Sequence, residues 1–176
     1  MEQVKNQIKA IIGLGNPTDK HYYQRHNIGF RILDHLADMY NGVWQEKNEQ
    51  ISATIIIKDQ KIILIKPTTF MNNSGRVIPA LAKQGIKAEN ILVVHDELEL
   101  PFGTVKIKIG GSHKGHNGLR SIMGACGPDF VRIRAGIGRP VHKDNVPDYV
   151  LQPFSEPEPA VNTLIDQATD LILTLL

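Results

Sequence analysis

Cysteine occurs once in the 176 residues, at Cys126. No intrachain disulfide can form, which suits a reducing compartment, and a lone thiol of this kind is expected to be a small buried apolar residue. Long hydrophobic runs are missing too. None approaches the ~20 residues that cross a bilayer, and Met1 to Gln7 lacks the charged-then-apolar layout of a signal peptide. A soluble, cytoplasmic protein is therefore expected. Charge of one sign is scarce: 20 basic against 18 acidic side chains leave +2. Any RNA-binding surface must come from local clustering rather than the overall field. There is no internal repeat, low-complexity tract or long linker, so residues 1–176 are read as one domain.

Several catalytic signatures are absent. No serine sits in a Gly-x-Ser-x-Gly elbow. Gly13-x-Gly15 lacks the third glycine of a dinucleotide fingerprint, and no Lys-Ser/Thr pair makes a phosphate loop. There is no His-x-x-x-His pair, and His113 and His116 fall in a glycine-rich loop rather than on a rigid face. No metal is expected. Cys126 lies on a predicted helix between Gly124 and Gly127, a poor place for a reactive thiolate.

What is present is 41% apolar sequence, enough for a sizeable core. Ile8 to Leu14 reads as a buried strand running into a sharp Gly-x-Gly-Asn-Pro loop. A helical period begins at Asn27, a candidate N-cap. Ile51 to Ile57 and Lys61 to Lys66 read as a hairpin across Asp59-Gln60. Asn72 to Gln84 reads as a helix in which Pro79 must fall near the first turn or produce a kink. Strands follow at Asn90 to His95, Thr104 to Ile109 and Phe130 to Ile137, with a helix from about Leu119 to Ala125. Val161, Leu164, Ile165, Ala168, Leu171, Ile172 and Leu175 mark a final amphipathic helix. The expected architecture is α/β: a three-layer α/β/α domain around a mixed, mostly parallel twisted sheet.

Three polar clusters stand at predicted strand ends, where such folds put their sites. They are Asn16-Pro17 with Arg25-His26-Asn27, then Phe70 to Gly75, then His95 to Leu98 with His113, His116 and Asn117. They are rich in imidazoles and amides and poor in carboxylates. That composition points to a histidine base acting on water, a carboxylate holding its tautomer, and amides facing an oxyanion. An ester is a suitable target. Lys106 and Lys108 share one strand face, as do Arg132 and Arg134; if the strands are neighbours, a cationic patch forms.

Six collinear motifs resemble bacterial peptidyl-tRNA hydrolases: Gly13 to Pro17, Arg25 to Gly29, Lys66 to Asn72, His95 to Leu98, Gly115 to Leu119, and Arg132-x-Arg134-x-Gly136-Ile137-Gly138. The resemblance runs from about residue 8 to residue 155. It implies hydrolysis of the ester joining peptide to tRNA, with no cofactor and no obligate protein partner, by a monomer. It makes His26 the base, Asp96 its orienting carboxylate, and Asn16 the group that positions water or the scissile carbonyl. Asn72 and Asn117 would hold the peptide portion, and Met71, His116 and Tyr22 would line the substrate cleft. Lys108 and Arg134 would clamp the 5′-phosphate of the acceptor stem, with Lys106 and Lys143 on the same surface.

The chain departs from the family pattern at Thr18, which replaces a glycine, and at His21 and Gln24. In the glycine-rich loop Ser112 and Lys114 stand in place of glycines, which should stiffen the loop and add a charge. Two other readings are an RNA-binding relative that has lost catalysis and an unrelated metal-dependent amidohydrolase. The retention of His26, Asp96 and the three asparagines speaks against the first.

Overall fold

The computed structural model describes residues 2–5 and 7–176. Met1 and Asn6, within the stretch read for a targeting signal, lie outside the described residues. In chain order the elements are β1 Ala10–Gly13, α1 Ile28–Met39, β2 Gln45–Lys47, β3 Gln50–Ile57, β4 Gln60–Pro67, α2 Ile78–Lys83, β5 Ile91–Glu97, β6 Val105–Ile109, α3 Asn117–Cys126, β7 Val131–Gly136, α4 Val146–Val150 and α5 Glu158–Leu173.

The strands form one seven-stranded sheet in the order β2-β3-β4-β1-β5-β7-β6. The central β4, β1, β5 and β7 are parallel; β3 and β6 run against their neighbours, so the sheet is mixed as expected. Alternation along the strands divides the core. Ile11, Leu92, Val94 and Ile133 join the apolar faces of α1 and α5. Ile12, Ile91 and Val93 join Leu81, Leu119 and Ile122 of α2 and α3 on the other side. The result is a helix–sheet–helix sandwich. Burying each large aliphatic side chain contributes about 1.5–3 kcal/mol, so the α5 stripe of Val161, Leu164, Ile165 and Ile172 anchors the C-terminal segment.

Local details differ from expectation in informative ways. The hairpin turn is Lys58-Asp59, both at positive φ, and Gln60 already pairs with Ile57; two left-handed residues match the twist of the strands they join. Residues 71–77 form 3₁₀ turns, and the α-helix begins only at Ile78, with Pro79 in its first turn where no amide hydrogen is needed. Cys126 is half-buried rather than buried, its thiol facing the Ile122 carbonyl. Thr18 takes φ 78°, a left-handed conformation that costs a branched residue about 1–3 kcal/mol. No helix among the described residues is long and apolar enough to cross a membrane.

Candidate active site

Parallel strands β1, β4, β5 and β7 all end on one side of the sheet, and each delivers part of the site there. After β1 the chain reaches Asn16; after β4 it reaches Met71 and Asn72; β5 ends in His95, Asp96 and Glu97. α1 is docked against the same edge because Gly29 has no Cβ, which would lie 2.5 Å from the Val94 carbonyl oxygen. That close approach brings the preceding 3₁₀ turn, Arg25–Asn27, to the end of β5.

Asp96 is the hub. It is buried, and each carboxylate oxygen meets an imidazole: Oδ2 lies 2.8 Å from His26 Nδ1 and Oδ1 lies 2.8 Å from His116 Nε2. His116 also caps α3, its Nδ1 accepting the Leu119 N–H at 3.3 Å. An acceptor Nδ1 leaves the proton on Nε2, so His116 donates to Asp96. His26 donates from Nδ1 in the same way, and its Nε2 is left free to accept a proton. Burial opposes protonation of His26, but the adjacent carboxylate outweighs it and raises the pKa above the ordinary histidine value. Burial likewise disfavours the Asp96 anion, yet the two imidazoles hold its carboxyl well below the usual range. Beneath them, the fully buried His95 donates Nδ1–H to the Asp96 carbonyl, and burial, reinforced by His116, lowers its pKa to about 3. His95 is thus a neutral wall.

Asn16 is set by two neighbours. It exchanges hydrogen bonds with Asn27: Asn16 N–H to Asn27 Oδ1 at 2.9 Å, and Asn27 Nδ2 to the Asn16 carbonyl at 2.8 Å. Asn27 does precede α1, but its side chain serves this clamp instead of capping the helix. Asn16 Oδ1 accepts the Met71 N–H at 2.8 Å, and among the described residues its Nδ2 has no partner. Gly118 makes room for this arrangement, since a Cβ there would sit 2.5 Å from Met71 Sδ.

A hollow of about 430 Å³ opens over the Asp96 hub, lined in part by His26, His116, Asn117, Lys108, Arg134 and Lys143. Of the residues expected to be functional, the structure therefore brings His26, Asp96, His116, Asn117, Lys108, Arg134 and Lys143 to one cleft. Asn16 and Asn72 do not line this hollow; Asn72 is exposed, and Lys106 is exposed on β6. Met71 is buried in the lower core, where its backbone rather than its side chain meets Asn16. Both His116 ring nitrogens have internal partners, so the ring offers substrate no hydrogen bond. Tyr22 is turned away: its hydroxyl donates to Asp34 at 2.9 Å and it borders a different hollow with Arg31 and His35.

β6 pairs with β7 so that Lys108 faces Arg132 and Lys106 faces Arg134, which makes the two basic strands neighbours. The arginines differ sharply. Arg134 Nε donates to Glu97 Oε1 at 2.7 Å, and the residue lines the hollow. Arg132 is buried and spends its guanidinium on the carbonyls of Gly110 and Ser112. Arg25 latches α4, which borders the cleft, through the Tyr149 carbonyl at 2.9 Å and the Tyr149 ring at 3.8 Å. Arg25, Asn27 and Glu97 lay inside the motifs, but only their long-range partners reveal what they do. His26, Asp96 and His116 also offer three ligand atoms within 4.8 Å of one another. A metal could occupy that set only by displacing the protons that now join the imidazoles to the carboxylate.

Comparison with known proteins agrees with this geometry. The sequence profile of the peptidyl-tRNA hydrolase family matches residues 10–176. A peptidyl-tRNA hydrolase of Geotalea daltonii is 45% identical over 94% of this chain and 88% of its own length. That of Roseobacter denitrificans is 46% identical over 85% of this chain, which spans 65% of that relative. The crystal structure of the Acinetobacter baumannii peptidyl-tRNA hydrolase superposes with a TM-score of 0.87 at 39% identity, covering 97% of this chain and 87% of the other. With six motifs in order, the same fold and matches of this extent, the chain belongs to the peptidyl-tRNA hydrolase family.

Proposed function

We propose that this chain hydrolyses the ester between peptide and tRNA in peptidyl-tRNA, using His26 as a general base on water and no metal. The observation that carries the reading is the Asp96 hub, which leaves His26 Nε2 as a free acceptor at the cleft while Nδ1 is held at 2.8 Å. Nε2 takes a proton as water attacks the ester carbonyl, and Asp96 stabilises the imidazolium. The oxyanion is met by amide N–H groups; Asn16, with its oxygen tied to Met71, can present only its Nδ2. Asn72 and Asn117 hold the peptide portion. Collapse breaks the bond to the tRNA oxygen, which regains the proton from His26. In this proposal the chain acts as a monomer in the cytoplasm, without an obligate protein partner. The test is peptide release from a defined peptidyl-tRNA with EDTA present. Release at an unchanged rate is expected; a rate abolished by EDTA and restored by a divalent metal would instead favour a metal-dependent hydrolase.

In the same reading Lys108 and Arg134 clamp the 5′-phosphate of tRNA, with Lys106 and Lys143 flanking it. Glu97 supports this role by orienting the Arg134 guanidinium. A terminal phosphate carries more charge than a diester and stands at a fixed distance from the ester, so the clamp acts as a ruler. Charge-assisted hydrogen bonds contribute about 1.5–3 kcal/mol each. Removing the 5′-phosphate, or changing Lys108 to Ala, should therefore weaken use of the substrate roughly ten- to a hundredfold. The two losses should not add when combined in a double cycle at fixed low salt. Full additivity would place Lys108 on some other part of the RNA.

A further inference from the structure

The basic side of the cleft holds more cation than its ion pairs absorb. Arg134 is paired with Glu97 and Arg139 with Glu99, while Arg132 is committed to backbone carbonyls. Among the described residues, the lining lysines, Lys108, Lys114 and Lys143, have neither a carboxylate partner nor, unlike Arg132, a carbonyl that takes up their charge. Lys114 belongs to neither strand. It sits at the tip of the glycine-rich loop at φ 46°, a left-handed conformation that favours glycine, and glycine is what the family resemblance leads one to expect there. The loop is built to keep it so. Ser112 Oγ accepts the Lys114 N–H at 3.1 Å, His113 Nδ1 accepts the Gly115 N–H at 3.0 Å, and Arg132 Nη1 pins the Ser112 carbonyl at 3.1 Å. Both departures from glycine, Ser112 and Lys114, thus belong to one device.

We propose that Lys114 is an additional RNA-phosphate-binding residue of this chain, held over the cleft by Ser112 and acting with Lys108 and Lys143 on the substrate backbone. Lys114 is a binding residue; Ser112 is a positioning residue acting through it. The inference rests on the peptidyl-tRNA reading above and extends it to a residue outside the clamp. Unpaired like charges held on one wall repel each other, and a polyanion relieves that repulsion. The same repulsion is visible on Lys108, whose pKa is lowered by partial desolvation, then by Arg132 and Arg134, and then by Lys114.

The experiment measures binding of deacylated tRNA across a range of KCl concentrations for the wild type and for Lys114→Gly, Lys114→Gln, Lys114→Arg and Ser112→Ala. Each phosphate contact releases counterions and adds about 0.7–0.9 to the slope of log affinity against log salt. Lys114→Gly and Lys114→Gln should lower that slope by about 1 and weaken binding roughly tenfold at low salt. Lys114→Arg should keep the slope, because charge rather than loop shape is what matters. Ser112→Ala should lose part of the affinity with its fold intact by circular dichroism. Wild-type slopes in Lys114→Gly and Lys114→Gln would overturn the inference while leaving the hydrolase reading standing. Equal losses in the Arg and Gln variants would also overturn it, by showing a role for loop structure alone. Failure of the wild type to bind tRNA at all would strike the underlying reading instead.

Discussion

Replacing His26 with Ala lowers turnover of peptidyl-tRNA by about 10²–10⁴-fold, the usual range for loss of a positioned general base, and leaves tRNA affinity nearly unchanged. The two effects should separate because, in the proposed mechanism, His26 handles the proton while the phosphate clamp lies on other elements. Its ring spends Nδ1 on Asp96 and offers only Nε2 to the cleft, so truncation removes proton transfer and little else. The check is kcat from multiple turnover alongside Kd for deacylated tRNA. A variant retaining more than about a tenth of wild-type turnover would remove His26 from the chemistry.

The second large effect is that of Asp96→Asn, and the hydrogen bonds say why an isosteric change should be severe. An amide has one accepting oxygen and one donating nitrogen, and here it faces two imidazoles. His116 cannot change its tautomer cheaply, because its Nδ1 accepts the Leu119 N–H; its Nε2–H claims the amide oxygen. The amide nitrogen then faces His26 and forces its Nδ1 to accept, so Nε2 carries the proton and cannot take another. Turnover should fall by about 10²–10⁴-fold with a modest change in affinity. Adding His116→Ala to Asp96→Asn frees the amide to turn, so the double variant should lose less than the two single losses combined. Asp96 also raises the His26 pKa. In the wild type kcat/KM therefore declines as the pH falls through a value above that of an ordinary histidine. In Asp96→Asn the residual activity should persist to lower pH. Unaffected turnover in Asp96→Asn would make Asp96 a structural carboxylate.

The sequence disclosed what depends on local pattern. β-branched runs ending in polar loops announced the strands, and the final helix followed from the spacing of Val161, Leu164, Ala168 and Ile172. The strand-end clusters pointed to a histidine base among amides, and the resemblance to peptidyl-tRNA hydrolases picked out His26 and Asp96 among the several imidazoles and carboxylates there. Contacts between distant segments were not legible. Asn27 looks like a helix cap because caps are local; its real partner, Asn16, lies 11 residues upstream and meets it only when β1 and α1 pack together. Alternation put Arg132 and Arg134 on one face but could not separate the buried loop anchor from the cleft-lining cation, since that depends on where the 110–112 loop folds back. Tyr22 is adjacent to the site in sequence, but Asp34 on the neighbouring helix captures its hydroxyl. Short elements such as β2 and α4 lack the length to show a period and exist through tertiary contacts.

The proposed role of His26 Nε2 as proton acceptor in the free enzyme is open to direct measurement. The direct measurement is an NMR titration of the His26 ring in the full chain, set beside the pH dependence of kcat/KM for peptidyl-tRNA in the same buffer with EDTA. kcat/KM reports ionisations of the free enzyme, so the two curves should share one midpoint, above about 6.5. In Asp96→Asn both should move to lower pH together. Full activity persisting well below the pH at which the ring is protonated would contradict the account.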